Sequence, residues 1–311
     1  MEVSLSTAVG LIVLTSAFDL YVQSSKTTQG HSDAVQMQLQ VKSALEVMAR
    51  EMQNMYWTTG SPTPPLNITT TLTAGDTISF NRIMDSGYAS GGTASTLNDT
   101  KKTWVANAYA PSATISYTVK IIAGTSSGQA LKISGNSATQ LTLSGSWATI
   151  PDATSLYLIS RNEGFTRTAA NKLGYQRGNG GYNPIADNIT QLLFSQTKDS
   201  GHSSGGNTAS TLNDTTKNWA ANAYAPSATP AYAVKITAGT GSGQMLNISG
   251  NSATQLMLSG SWGTLPDATS LYAIYDPNSI AITLTGQTSN PDPRTGQYIS
   301  YRLTDTVLKR N

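Results

Sequence analysis

Residues 1–22 read MEVSLSTAVGLIVLTSAFDLYV. From Val3 to Phe18 the run carries no charge, and Glu2 and Asp19 bracket it. It is shorter than the roughly 20 residues that span a bilayer, although Leu20, Tyr21 and Val22 resume it after Asp19. Further on, Val41, Leu45, Met48, Met52 and Met55 alternate spacings of four and three, which places them on one helical stripe. Residues 1–57 are therefore expected to form one helix with two halves. The apolar half, 1–25, wants an apolar environment, and the amphipathic half, 26–57, turns its stripe to the protein's own sheet. Gly10 and Gly30 are its expected soft points. Pro62, Pro64 and Pro65 forbid its continuation.

Beyond the helix the clearest signal is an internal repeat. Residues 85–159 and 199–274 are near-copies: SGGTASTLNDTKKTWVANAYAP returns as SGGNTASTLNDTTKNWAANAYAP, and ISGNSATQLTLSGSW returns as ISGNSATQLMLSGSW. Asp85 matches Asp199 at an offset of 114 residues; after the inserted Asn207, Trp104 matches Trp219 and Trp147 matches Trp262 at 115. Short β-branched and aromatic runs with Gly turns, such as Tyr117–Ile122 and Gln140–Leu143, make each copy a small all-β module. Segments 58–84, 160–198 and 275–311 flank the copies and hold strand-like runs such as TISFNRI, IAITLT and YISYRL. These are expected to form an antiparallel sheet under the helix, with both modules inserted into its loops. The expected class is thus α+β, a long helix packed on an antiparallel sheet, with two all-β inserts.

Only 12% of residues are charged, net charge is +2, and 14 Tyr and 5 Trp are spaced regularly. That composition fits a folded, exported β-rich protein and gives nucleic acid no basic surface to bind. With no cysteine, disulfide and thiolate chemistry are excluded. The two histidines, His31 and His202, are far apart in sequence.

The N-terminal pattern Met1-Glu2-Val3, followed by an apolar run and then an amphipathic helix, resembles type IV pilins and type II secretion pseudopilins. In the middle of the chain, ADNITQLLF at Ala186–Phe194, and at its end VLKRN at Val307–Asn311, resemble the larger minor pilins and J-type pseudopilins. The resemblance implies that Glu2 is the family's assembly glutamate, flanked by Met1 and Val3. Its place here implies that a leader and about three mature residues precede Met1. It further implies processing by a prepilin peptidase, a stage anchored in the inner membrane, and assembly machinery that builds a helical homo-oligomer outside the cell.

No sequence motif for an enzyme occurs: there is no G-x-S-x-G, P-loop, H-E-x-x-H or C-x-x-C. Gly178-Asn179-Gly180-Gly181 reads as a loop. Asp99, Asp214, Asp152 and Asp267 are candidate calcium ligands, with Asx turns as the competing reading. Sequons stand at Asn67, Asn98, Asn188, Asn213 and Asn247. Trp104, Trp147, Trp219 and Trp262 are candidates for stacking on a surface ligand such as a sugar, their alternative being the module cores. The expectation is a non-enzymatic subunit of an extracellular pilus-like filament, without cofactor or metal. A low-copy minor pilin or pseudopilin, priming assembly or acting in secretion or adhesion, is the alternative.

Overall fold

The computed structural model describes residues 2–55, 67–71, 75–225, 231–276 and 278–308, with side chains described from residue 11 in the helix and from residue 77 after it. The helix α1 (Glu2–Gln53) comes first and, at 1.5 Å per residue, is about 78 Å long. Ten strands follow and share one sheet: β1 (Asn67–Thr71), β2 (Gly75–Tyr88), β3 (Gly91–Thr93), β4 (Thr96–Asn98), β5 (Tyr117–Ala123), β6 (Ala130–Asn136), β7 (Gln140–Ser144), β8 (Leu156–Arg167), β9 (Leu173–Arg177) and β10 (Tyr182–Ala186). After β11 (Ile189–Ser195), a six-stranded sheet holds β12 (Thr197–His202), β13 (Thr211–Asn213), β14 (Ala233–Ala238), β15 (Met245–Asn251), β16 (Gln255–Ser259) and β17 (Leu271–Tyr275). Finally β18 (Ser279–Gln287) and β19 (Ser300–Leu308) form a three-stranded sheet with β11, in the order β11-β18-β19. All pairings are antiparallel.

Strands hold 43% of the chain and helix 16%, and this overturns the expected α+β class. The chain is a mainly antiparallel β protein that carries one helix. The repeated modules add strands twice over, and no second helix offsets them among the described residues.

The helix changes character along its length. From Met37 onward Met37, Val41, Ala44, Leu45, Met48, Met52 and Met55 are buried, sharing one core with Ile78, Phe80, Phe165, Ile189, Leu192, Phe194, Ile280, Ile282, Leu284 and Val307. Gly286 on β18 permits the close approach: a Cβ there would lie 2.2 Å from Met37 Sδ and 2.6 Å from Val41 Cγ2. At the helix end, the Ile83 N–H donates to Asn54 O at 2.8 Å, tying that end to β2. α1 is helical through Gly10 and Gly30, the two expected soft points.

The two modules share one strand order. Module 1 runs β2-β8-β5-β6-β7-β4 and module 2 runs β12-β17-β14-β15-β16-β13. Register shifts recur at the same places: Ile83/Asp85 with Thr197/Asp199, Ile121/Ala123 with Ile236/Ala238, and Ile133/Gly135 with Ile248/Gly250. The modules join the body differently. The expected boundaries 84/85 and 159/160 fall inside β2 and β8, whose ladder runs from Thr77↔Thr166 to Tyr88↔Leu156. Module 1 is therefore a continuation of the body's own ribbon. Module 2 sits beyond a break, where Thr197 pairs with Tyr275 but Ser195 already pairs with Ala281.

Candidate functional site

The part of the molecule with an unmet physical requirement is the N-terminal half of α1. Leu11, Ile12, Val13, Leu14, Phe18, Leu20 and Tyr21 are exposed, Leu14 at 73% and Phe18 at 65%. At 100° per residue, Leu11 to Leu14 alone face four sides, so the apolar surface encircles the helix. The hydroxyls within it are internally satisfied: Thr15 Oγ1 donates to Leu11 O at 3.0 Å, and Ser16 Oγ donates to Ile12 O at 2.9 Å. That back-bonding suits the segment to surroundings without water. Among the described residues no helix is long and apolar enough to cross a membrane.

The free half emerges from the body at a bracket. The loop between β18 and β19 reaches α1 there: Asn290 Nδ2 donates to Asp33 Oδ2 at 3.4 Å, and Thr27, Gly30, His31, Asp292, Arg294 and Ile299 line a cavity of about 70 Å³. Of the expected assembly residues, Met1 lies outside the described residues. Glu2 and Val3 belong to α1, but their side chains also lie outside the described set.

The four tryptophans are placed by the module cores. Trp147 and Trp262 are 5% and 6% exposed, and their indole N–H groups donate to Thr96 O and Thr211 O at 3.2 and 3.1 Å. That burial corrects the expectation of a surface platform, because the same residues are needed to fill small cores. Trp104 and Trp219 are half-buried, edge-on to Tyr157 and Tyr272, and donate to Asp85 Oδ2 and Asp199 Oδ2, both at 2.7 Å.

The candidate calcium carboxylates are engaged by internal donors. Asp99 Oδ2 accepts from Tyr157 OH at 2.7 Å and Asp214 Oδ2 from Tyr272 OH at 2.6 Å. Asp152 Oδ1 accepts from the Thr154 N–H at 2.8 Å, and Asp267 Oδ1 from the Thr269 N–H at 2.8 Å, as Asx turns do. No group of three or more His, Asp or Glu among the described residues could hold a metal. In the Gly178 loop, the Asn179 N–H donates to Thr114 O at 2.6 Å, so it serves packing.

The repeat also builds a polar pair that motif reading did not single out. Lys102 Nζ donates to Asp85 Oδ1 at 2.7 Å, and Lys217 Nζ donates to Asp199 Oδ1 at 2.7 Å. The signal was present as an Asp, Lys and Trp preserved in both copies. Burial alone would raise these two carboxyls. The Lys and Trp hydrogen bonds outweigh it and hold Asp85 and Asp199 below the ordinary value. A depressed folded pKa gives stability that is present above the unfolded value near about 4 and lost as pH falls below it. Tyr157 and Tyr272 run the other way, raised first by burial and then by the Asp99 and Asp214 hydrogen bonds. Their contribution is full below about 10 and is lost as pH rises beyond it. Module stability, followed by urea midpoint against pH, is expected to fall at both extremes. Asp85→Asn with Asp199→Asn should flatten the acid side; an unchanged acid limb refutes this account.

Comparison with protein-family models, with curated proteins and with solved structures finds no match.

Proposed function

We propose that this chain is a non-enzymatic structural subunit of an extracellular, type IV pilus-like helical filament, whose core is made by the apolar halves of α1 and whose exterior carries the β modules. The observation that supports this reading is the ring of exposed apolar residues from Leu11 to Tyr21 beyond a well-packed body. A helix apolar on every side needs cover on every side. A single partner on one face leaves most of it wet, whereas copies related by helical symmetry surround it. Before assembly the same half would rest in the inner membrane, and the resemblance at Glu2 adds a prepilin peptidase and assembly machinery as partners.

The test is Phe18→Asp in the full-length chain. Burying an unpaired carboxylate costs several kcal/mol, so the filament fraction in sheared surface preparations, seen by negative stain, is expected to fall at least about tenfold. The body should melt as wild type does, because Phe18 lies outside every core cluster. Undiminished filaments in the Phe18→Asp strain would refute the proposal.

A further inference from the structure

Each module has one side where its outer strand has no strand beyond it. β12 is the end strand of its sheet. β2 pairs with β1 as far as Ser79 and meets Met55 and Asn54 at Arg82 and Ile83; from Asp85 onward no strand lies on its outer side among the described residues. Residues of an antiparallel strand alternately turn both backbone groups to the partner and both away from it. Ser86 and Ser200 turn theirs away, and in both copies the chain itself takes them up. The Ser86 N–H donates to Asp85 Oδ1 at 2.8 Å, and Ser86 O accepts from Lys102 Nζ at 2.7 Å. The Ser200 N–H donates to Asp199 Oδ1 at 2.8 Å, and Ser200 O accepts from Lys217 Nζ at 2.6 Å. Each lysine reaches its serine by lying across a glycine: a Cβ on Gly87 would stand 3.1 Å from Lys102 Cε, and one on Gly201 3.0 Å from Lys217 Cε. The register shift falls at the same aspartate in both strands, Ile83/Asp85 and Thr197/Asp199. The opposite end of module 2 is closed in a similar way. There the Asn213 N–H donates to Asn207 Oδ1 at 2.7 Å, and Asn213 O accepts from the Ser204 N–H at 2.8 Å.

An edge strand with free backbone groups is a template for another chain. The same edge on a second copy is a fitting partner, because an antiparallel pair needs only the same strand turned round. We propose that the Asp85–Lys102 and Asp199–Lys217 pairs are caps that close these module edges against strand addition by a second copy of this chain. Each pair occupies the donor and the acceptor that such a strand would use. The bulge beside it adds twist that spoils a flat ladder. The Asp and Lys kept in both copies thus have a role apart from stability. The inference does not rest on the filament reading; any setting that crowds the modules together calls for closed edges.

Lys102→Ala with Lys217→Ala opens both edges. The full-length chain is held in detergent micelles, which cover the apolar half of α1, and sedimentation velocity follows association against protein concentration. The opened chain is expected to associate at a concentration at least about tenfold below wild type. Adding Ser86→Pro with Ser200→Pro removes the outward N–H from each edge and is expected to bring that concentration back to within about threefold of wild type. An opened chain that associates no more readily than wild type overturns the proposal. So does association that the two prolines leave unchanged, since it then comes from lost stability or from another surface. A cooperative urea transition shows that each variant is folded. If the alanine pair does not fold, Lys102→Met with Lys217→Met takes its place, keeping the stem across Gly87 and Gly201 and removing the ammonium. None of these outcomes depends on filaments, so a failure here leaves the filament reading as it stands.

Discussion

Glu163→Ala is expected to destabilise the body by about 3–5 kcal/mol, the usual cost of removing one partner from a buried ion pair. Glu163 on β8 has no exposed surface, and around it the sheet and the helix exchange charge. Arg161 bonds Glu163 Oε1 through Nε at 3.0 Å and also through Nη2, and Tyr175 OH on β9 donates to Oε2. Arg82 on β2 lies 3.8 Å from Glu163 and 2.5 Å from Glu51 near the end of α1. Without Glu163, the buried Arg161 is left, among the described residues, with Tyr117, whose ring lies 5.9 Å away and whose side chain also hydrogen-bonds it. The substitution therefore strikes the joint between α1, β2, β8 and β9. The Tyr175 phenol supplies a second readout. Burial first and then the Glu163 hydrogen bond push it up to about 12, so its spectrophotometric titration should move down in Glu163→Ala. A urea midpoint and a phenol titration both unchanged would show that this cluster holds nothing together.

The sequence carried the modules almost completely, and for a physical reason. Two copies of one solution expose their constraints, because residues that build a core or a bulge recur at a fixed offset. Strand order, the three register shifts and the paired aromatics follow that offset. The amphipathic stripe Val41, Leu45, Met48, Met52 and Met55 was equally legible, since its 3.6 period has no other use, and all five are buried. What failed was the class; what the sequence did not show was that two strands run through the ends of the first copy. Similarity ends near residues 85 and 159 while the hydrogen-bond ladder continues through them, because a ladder depends on backbone and tolerates any side chain. Below the modules the same geometry survives in altered residues: Ile78 and Leu192, Phe80 and Phe194, and Phe165 and Ile280 keep the 114 or 115 spacing and are all buried. Charges meeting between elements, such as Arg82 on β2 with Glu163 on β8 and with Glu51 on α1, were invisible for the same reason, since pairing register is not written in local pattern.

The largest asymmetry between the copies should appear when matched core residues are removed. Trp147→Ala and Trp262→Ala each delete a buried indole from equivalent surroundings, Leu97, Leu141 and Leu143 in one and Leu212, Leu256 and Leu258 in the other. Each is expected to cost its own module about 3–5 kcal/mol, cavity and lost transfer energy together. The consequences for the body should differ. β2 and β8 pass without interruption from module 1 into the body core, and Phe80 and Phe165 stack within it at 6.0 Å between centroids. Module 2 meets the body at Gln196 and Asp276, where the ladder loses register; among the described residues the Asp276 N–H donates to Gln196 O at 2.8 Å and the Ser279 N–H to Asp276 O at 3.4 Å. Cooperative units follow such continuity. In native-state hydrogen exchange, Trp262→Ala should speed the amides of β14 to β17 and leave β18 and β19 protected. Trp147→Ala should speed β5 to β7 and carry the loss along β8 into β9. If both variants give the same confined pattern, the unbroken ribbon does not couple module 1 to the body.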